Sequence, residues 1–164
     1  GFVKAAGNYG RSLYPTRLAQ QKGYQQVIWT DGATHSYLEE SGTMNLMFVI
    51  GNTVVTPALS DTILDGITRR SVLALAREWG MNVEERKISI QEVLDAYAKG
   101  EIKEAFGVGT AATIAPIIGI GYQETYMELP PVTERPFCTK VDETLRGIRK
   151  GKVEDKMGWM YKVK

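Results

Sequence analysis

A lysine near the start of the sequence is the first candidate for covalent chemistry. Lys4 is followed by Ala5-Ala6-Gly7-Asn8-Tyr9-Gly10, a run of small residues and turn formers that contains no other charge. A lysine in such a setting can lie close to a bound ligand and form a Schiff base with its carbonyl group. By residue type alone, a solvated lysine in an N-terminal tail explains Lys4 better, so the interpretation depends on the later segments.

A second segment offers a carboxylate beside small polar residues. It reads Glu39-Glu40-Ser41-Gly42-Thr43-Met44-Asn45. If Glu39 and Glu40 end a strand, their side chains point to opposite faces, so one can reach a buried site and the other is solvated. The glycine allows close backbone approach, and the threonine and asparagine supply polar groups for a small ligand. A strand end followed by a turn explains the segment equally well.

Two further segments have the composition of anion-binding sites. Asp65-Gly66-Ile67-Thr68-Arg69-Arg70 leads into a predicted helix, whose first N–H groups and dipole favour a negative charge such as phosphate. Phe106-Gly107-Val108-Gly109-Thr110-Ala111-Ala112 supplies two glycines, a hydroxyl and free amides. Neither matches a Walker A or dinucleotide fingerprint. Taken singly, each is more often an ordinary helix cap or strand turn.

Composition excludes several classes of function. Lys and Arg total 20 against 19 for Asp and Glu, a net charge of +1 that gives no general attraction for nucleic acid or anionic lipid. The single cysteine, Cys138, fits a reducing cytoplasm, and the single histidine, His35, argues against zinc sites and catalytic dyads. We therefore predict no metal site. The longest apolar stretch, Ala111 to Tyr122, contains Pro116 and is too short to cross a bilayer.

Helical and extended patterns alternate along the chain, which predicts an α/β or α+β class. The 164 residues suffice for one domain that buries roughly 70% of its unfolded surface. The predicted helices span 12–21, 69–79, 89–99 (opened by a Ser-Ile-Gln-Glu capping box, with Gly100 beyond its end) and 140–150. The predicted strands span 26–30, 35–40, 45–50, 53–56, 104–107 and 113–122, with 51–52 as a hairpin turn.

Together, the four motifs resemble a known family. Their order and spacing are similar to those of the C-terminal large domain of branched-chain amino acid aminotransferases, which are fold-type IV pyridoxal phosphate enzymes. The resemblance covers essentially the whole chain. It implies the D-amino acid aminotransferase-like fold, with a mixed sheet or pseudo-barrel and packed helices. The four motifs together carry it, at residues 4–9, 40–45, 66–69 and 106–111.

The resemblance implies roles for the first two motifs. Lys4 is the Schiff-base lysine, and Tyr9 lies beside the cofactor, pyridoxal 5'-phosphate. Glu40 pairs with the pyridine nitrogen, because the family pattern Glu-x-Gly-Thr-Met-Asn selects Glu40 over Glu39. A carboxylate is needed there since it keeps the ring nitrogen protonated.

The remaining positions match residues that bind the cofactor phosphate or the substrate. By resemblance, Ile67, Thr68 and Thr110 hold the phosphate. Thr43 and the backbone of Thr110 and Ala111 lie near the substrate carboxylate.

The implied activity is the transamination of leucine, isoleucine and valine with 2-oxoglutarate, which gives branched-chain 2-oxo acids and glutamate. The enzyme would be a cytoplasmic homodimer without nucleic-acid or membrane partners. Two relatives on the same fold, D-amino acid aminotransferase and 4-amino-4-deoxychorismate lyase, share the lysine and glutamate but usually lack the run Gly42-Thr43-Met44-Asn45. These relatives, and a non-catalytic cofactor-binding fragment, are the alternatives.

The resemblance also predicts the domain organisation. We expect residues 1–164 to form a single cofactor-binding large domain and to be a C-terminal fragment without the family's N-terminal small domain. That small domain supplies a phosphate-binding arginine and much of the side-chain pocket. The fragment alone is therefore expected to be weakly active or inactive.

Overall fold

The computed structural model describes residues 3–163, which form a mixed α/β fold. The helices are α1 (Ala6–Tyr9), α2 (Leu13–Gln21), α3 (Ile67–Glu78), α4 (Ile90–Ala98) and α5 (Pro136–Arg149), with 3₁₀ turns at Gly10–Ser12 and Val132–Glu134. The strands are β1 (Ile28–Thr30), β2 (Leu38–Ser41), β3 (Met44–Ile50), β4 (Thr53–Thr56), β5 (Asn82–Glu85), β6 (Ile102–Gly109), β7 (Thr113–Pro116), β8 (Gly119–Tyr122) and β9 (Thr125–Glu128). Within these residues, no helix is both long and apolar enough to span a membrane.

Strand β3 is the centre of a seven-stranded sheet. Its start pairs with β2, its end pairs with β4, and β6 runs antiparallel to it along nearly its whole length. β4 and β5 form the parallel pair, while β8 and β9 make a separate hairpin. The pairings within residues 3–163 leave the sheet open. Asn45 lies opposite Glu40 on one neighbour and opposite Val108 on the other, so two of the sequence motifs meet at this end of β3.

Helices cover both faces of β3, which explains its continuous apolar sequence. Met47 and Val49 pack with α3 and α5 in one layer of the core. Leu46 and Phe48 point the other way and pack with α4 and the β8–β9 hairpin. Because side chains alternate along a strand, one apolar segment supplies both layers.

The two most strongly patterned helices form where the sequence predicts them. α3 starts two residues earlier than predicted and is followed by Gly80 at φ +74°. At the start of α4, the Ser89 hydroxyl accepts the amide of Glu92 at 3.0 Å. The Glu92 carboxylate binds the Arg86 guanidinium at 2.6 and 2.9 Å, so the reciprocal half of the predicted capping box is replaced by an ion pair.

Helix α5 begins four residues before its predicted start. The buried carboxylate of Glu104 accepts the amides of Phe137 and Cys138 at 2.8 and 2.7 Å. It thereby satisfies two of the N–H groups that the first turn of a helix leaves free. Local patterning could not reveal this cap, because Glu104 lies on β6, more than thirty residues earlier.

Two strand predictions need correction. The predicted strand 113–122 is two strands, β7 and β8, because the chain turns between Pro116 and Gly119 and β8 pairs with β9 instead of β6. The predicted strand from residue 35 begins at Leu38. The Asp31 carboxylate accepts three backbone amides of residues 34–37, and His35 has a φ of +54°, so this segment is a turn.

Candidate active site

The amine of Lys4 lies against the turn between β2 and β3. Its Nζ donates a hydrogen bond to the carbonyl oxygen of Thr43 at 2.9 Å. It also lies 5.6 Å from the centre of the Tyr9 ring, which follows on α1. Lys4 is exposed, so its amine can reach a bound molecule without a change of fold.

The turn that receives Lys4 is held by β1 and the segment before it. Gly42 donates its amide to Val27 at 2.8 Å and accepts the indole N–H of Trp29 at 2.9 Å. Its φ of +59°, together with the Gln26 side chain packed where a Cβ would project, requires glycine at this position. The Thr43 carbonyl is therefore fixed by contacts on the preceding residue.

Glu40 is half-buried and has two hydrogen-bond donors. Its Oε1 accepts the amide of Leu64 at 3.0 Å and lies 3.4 Å from Asn45 Nδ2. Burial raises the pKa of Glu40, while the hydrogen bond from Leu64 and the positive charge of Lys4 lower it by smaller amounts. Burial, and then the negative charge of Glu40, raise the pKa of the Tyr9 phenol. A cation next to Glu40 would therefore stabilise its ionised form.

Glu39 and Glu40 line the same cavity of about 470 Å³, together with Tyr9, Trp29 and Thr62. Both residues adjoin this cavity, and that only one of the two carboxylates serves the site stays a prediction. Ile28 and Thr30 of β1, two positions apart, pair with Ser41 and Leu38 of β2, three positions apart. The extra residue is a β-bulge, which interrupts strict alternation of side chains.

The two carboxylates nevertheless have different surroundings. Glu39 accepts the hydroxyl of Thr62 at 2.6 Å in an exposed contact. Glu40 accepts a backbone amide in a half-buried one. An exposed hydroxyl partner therefore distinguishes Glu39 from Glu40, on which the charge of Lys4 acts.

The start of α3 presents free amides, as its sequence predicts. Gly66 is the N-cap residue, and no side chain caps this helix end. The first-turn amides of Ile67 and Thr68 therefore remain available to a ligand. Just before them, the carbonyl of Leu64 accepts hydrogen bonds from Asn45 Nδ2 at 2.7 Å and from the amide of Gly66 at 2.9 Å.

The fourth motif forms the turn between β6 and β7. Thr110 and Ala111 are exposed in this turn, which follows Gly109. Met44 packs directly on Gly107 and Gly109, where a Cβ at Gly107 would come within 2.8 Å of the methionine. Because β3 and β6 are antiparallel and Asn45 pairs with Val108, this turn lies at the same end of β3 as Lys4.

The structure places some of the predicted site residues in contact and others only on adjoining segments. Direct contacts join Lys4 to Tyr9 and Thr43, and the charge of Lys4 acts on Glu40 without an ion pair between them. The other four, Ile67, Thr68, Thr110 and Ala111, lie on segments that adjoin this group through Asn45 and Met44. Among residues 3–163, no hydrogen bond connects those four to Lys4 or Glu40, so a ligand would have to bridge them.

Sequence comparison decides the family. The model of the family described as amino-transferase class IV matches residues 4–120, which include all four motifs. This chain is a class IV aminotransferase family member.

Individual class IV aminotransferases match nearly all of the chain. It is 44% identical over 163 residues to branched-chain-amino-acid aminotransferase 2 of Bacillus subtilis, a match that covers 99% of this chain and 45% of that protein. The solved branched-chain amino acid aminotransferase of Escherichia coli superposes with a TM-score of 0.79 at 32% identity, over 97% of this chain and 50% of that one. The branched-chain amino acid aminotransferase of Thermobaculum terrenum, solved in its PLP-bound holo-form, gives a TM-score of 0.70 at 28% identity, over 91% of this chain and 46% of that one. The chain therefore spans about half the length of these relatives and has the fold of fold-type IV aminotransferases.

Several residues of this site were not singled out from the sequence. Leu64 contributes only its backbone, so its side-chain type carries no signal. Trp29 and Thr62 act through single hydrogen bonds to residues more than ten positions away. The sequence feature that could have indicated Trp29 is its position near the end of the predicted strand 26–30, shortly before the Asp31-Gly32 turn.

The chemistry available here is that of an amine, a carboxylate and free amides. Lys4 can act as a nucleophile toward a carbonyl carbon and can carry a proton. Glu40 can hold a cationic nitrogen, and the start of α3 can hold an anion. Across the described part of the chain, no group of three or more His, Cys, Asp or Glu side chains could hold a metal ion.

Proposed function

We propose that the protein containing this chain transfers the amino group of leucine, isoleucine or valine to 2-oxoglutarate, with pyridoxal 5'-phosphate as its cofactor. The products are the branched-chain 2-oxo acids and glutamate. The observation that carries this proposal is that the Lys4 amine binds the Thr43 carbonyl, three residues after the half-buried Glu40, in a chain 44% identical to a branched-chain aminotransferase. Because the chain covers 45% of that relative, we propose that residues 1–164 are its cofactor-binding large domain.

The residues present fit the cofactor. Pyridoxal phosphate has an aldehyde, a ring nitrogen and a phosphate, and the site offers an amine at Lys4, a carboxylate at Glu40 and uncapped amides at Ile67 and Thr68. Thr110, in the glycine-rich turn at the same end of β3, is proposed to add its hydroxyl to the phosphate. When bound, this cofactor supplies an electron sink for negative charge that develops at the substrate Cα.

Glu40 would keep positive charge on the ring nitrogen. Its carboxylate is costly to ionise because it is half-buried, and a cationic nitrogen beside it offsets that cost. The Leu64 amide occupies Oε1, so the carboxylate is held in one orientation. A neutral side chain here would leave the nitrogen easier to deprotonate.

Lys4 would hold the cofactor until the amino group of the substrate displaces it. Its free Nζ would then carry a proton away from the substrate Cα. The Thr43 carbonyl, which accepts a hydrogen bond from Nζ at 2.9 Å, gives the released amine a defined resting position. Tyr9, whose pKa is raised, keeps its phenol proton and can donate a hydrogen bond beside Lys4.

The substrate carboxylate would bind where two turns meet. Thr43 lies in the β2–β3 turn, and Thr110 and Ala111 lie in the β6–β7 turn at the same end of β3. Both turns expose hydroxyl or amide donors, which suit a carboxylate.

Trapping of the cofactor on Lys4 tests the proposal. We expect borohydride reduction of the protein loaded with pyridoxal phosphate, followed by peptide mapping, to leave the label on Lys4. A Lys4→Arg variant, which keeps the charge but cannot form the bond, should lose this label and the transamination of leucine. Label on another lysine with Lys4 unmodified would refute the assignment.

The quaternary structure and cellular location are part of the same proposal. A homodimer is proposed from the family resemblance, and sedimentation of the full-length protein tests it. A cytoplasmic location is proposed because the chain has one cysteine, which is free and buried.

The alternative of a D-amino acid aminotransferase or a 4-amino-4-deoxychorismate lyase is not favoured, because the compared relatives carry the branched-chain name.

A further inference from the structure

Leu64 connects the two ends of the proposed cofactor site through its backbone. Its amide donates to Glu40 Oε1 at 3.0 Å. Its carbonyl accepts the amide of Gly66 at 2.9 Å, and Gly66 is the N-cap of α3. Leu64 therefore lies between the carboxylate proposed for the ring nitrogen and the amides proposed for the phosphate.

The side chain of Asn45, which lies on β3, stabilises this connection through hydrogen bonds. Its Nδ2 donates to the Leu64 carbonyl at 2.7 Å and lies 3.4 Å from the Glu40 carboxylate. The side chain is buried, with 5% exposed, and its Oδ1 occupies the space where a Cβ on Gly66 would project. A single side chain thus contacts Glu40, Leu64 and Gly66.

The backbone of Asn45 gives it a rigid base. It lies on β3 between two antiparallel neighbours, where it pairs with Glu40 and Val108. A buried residue in a central strand has few alternative positions, whereas the loop of residues 57–66 has little regular structure of its own. The loop must therefore take its position from such contacts.

Apart from the Leu64–Glu40 bond and an exposed ion pair of Asp65 with Arg70 of α3 itself, the other anchors of this loop lie away from residues 64–66. The buried guanidinium of Arg69 binds the carbonyl of Pro57 at 3.0 Å and the carboxylate of Glu85 at 2.9 Å. Thr62 reaches Glu39 at 2.6 Å. These contacts hold the beginning and middle of the loop, and the Asn45 side chain holds its end.

We propose that Asn45 is a positioning residue that fixes the separation between the Glu40 carboxylate and the first amides of α3. This inference rests on the proposed function, since that separation matters only if one ligand binds at both places. A ligand with a cationic ring nitrogen at one end and a phosphate at the other gains both contacts at once only when their spacing is set in advance.

The affinities for pyridoxal 5'-phosphate and for pyridoxal, which lacks the phosphate, test this inference without any measurement of activity. Both dissociation constants are measured by absorbance titration of the purified protein. In Asn45→Ala we expect the affinity for pyridoxal 5'-phosphate to fall about fivefold, the effect of losing one hydrogen bond to a fixed geometry, and the affinity for pyridoxal to change less than about twofold. Asn45→Ser, which keeps a hydroxyl too short to reach Leu64, should behave in the same way and guards against loss of folding in the alanine variant.

The matched control is Thr56→Val. Thr56 is fully buried and its hydroxyl donates to Leu46 at 2.7 Å, so this variant also loses one buried hydrogen bond in the same sheet. It should leave the ratio of the two affinities unchanged. An equal loss of both affinities in the Asn45 variants would mean a general structural role and overturn the inference, as would no loss of either. Wild-type protein that binds the two compounds equally would overturn the proposed cofactor site, and the inference with it.

Discussion

At the scale of single residues, two adjacent glutamates illustrate how environment assigns a role. Glu39 and Glu40 line one cavity, next to a register shift between β1 and β2. Glu40 accepts the amide of Leu64 in a half-buried position, and burial raises its pKa. Glu39 accepts a hydroxyl in an exposed position. The same side chain is therefore prepared to bind a cation at one position and is an ordinary surface acceptor at the next.

Replacement of these glutamates one at a time should separate their roles. Glu40→Gln removes the charge next to the proposed ring nitrogen, and we expect transamination by the full-length protein to fall about tenfold to a hundredfold, the value of one charged hydrogen bond. Glu39→Gln is the matched control, with an expected change of less than about threefold. Steady-state rates with leucine and 2-oxoglutarate give the comparison, and the reverse order of effects would show that Glu39 faces the nitrogen.

The same Glu40→Gln variant should not be less stable. A carboxyl group with a raised pKa in the folded state stabilises the fold below its unfolded pKa and loses that contribution as the pH rises through the folded pKa. At about pH 7 the ionised Glu40 therefore costs stability, and Gln keeps an acceptor for the Leu64 amide. We expect the midpoint of thermal unfolding without cofactor to be unchanged or higher at about pH 7, with this advantage lost near pH 4. A clear fall at pH 7 would contradict a burial-dominated carboxylate.

At the scale of elements, helix starts are fixed by acceptors of two kinds. In α4 the acceptor is local, since the Ser89 hydroxyl binds the amide of Glu92. In α5 it is distant, since the buried Glu104 carboxylate binds two first-turn amides from β6. In α3 the first turn has no side-chain cap, and this is the helix whose start is proposed to bind phosphate. Among α3, α4 and α5, the start without a cap is thus the one with a proposed ligand, and the starts of α1 and α2 also lack a side-chain cap.

Loss of the Ser89 cap of α4 should lower the free energy of unfolding. We expect Ser89→Ala to lower the free energy of unfolding by about 1 kcal/mol, because the Glu92 amide loses its acceptor. Ser71→Ala is the control: its hydroxyl donates to Ile67 within α3, and alanine there should change stability by less than about 0.5 kcal/mol. Urea unfolding of both variants measures the difference, and equal effects would mean that the cap contributes nothing specific.

At the scale of the whole molecule, the fold brings four separate segments to one end of a central strand. β3 is covered on both faces, and its first residues contact β2, β6 and the loop before α3. The site is therefore supported by the best-buried part of the chain, which suits a cofactor that must be held in one orientation. The chain nevertheless spans only 45% of its Bacillus subtilis relative, so we propose that the complete active site includes further protein.

The activity of the 164-residue chain by itself tests this proposal. The loss of one arginine contact to a phosphate removes roughly 1.5 to 3 kcal/mol, or about tenfold to a hundredfold in affinity. Even at saturating cofactor we expect this chain to transaminate leucine at least about tenfold more slowly than the full-length protein, because water enters the uncovered site. Equal steady-state rates would show that residues 1–164 hold a complete active site.

Local sequence patterns were enough to predict the features that depend on neighbouring residues. The capping serine and final glycine of α4, the apolar run of β3 and the hairpin at Gly51-Asn52 all form as predicted, since each is set by local conformational preference or by periodic burial. The order of the four motifs was also sufficient to indicate the family, which the match over residues 4–120 confirms.

Features that depend on contacts between distant segments could not be predicted from local patterns. The cap of α5 by Glu104, the division of 113–122 into two strands and the placement of both glutamates in one cavity belong to this group. The position of Leu64 between Glu40 and Gly66 does too, because it acts through its backbone. Backbone hydrogen bonds do not depend on side-chain type, and a partner thirty residues away leaves no local sequence pattern. Neither kind of contact could therefore be predicted from the sequence.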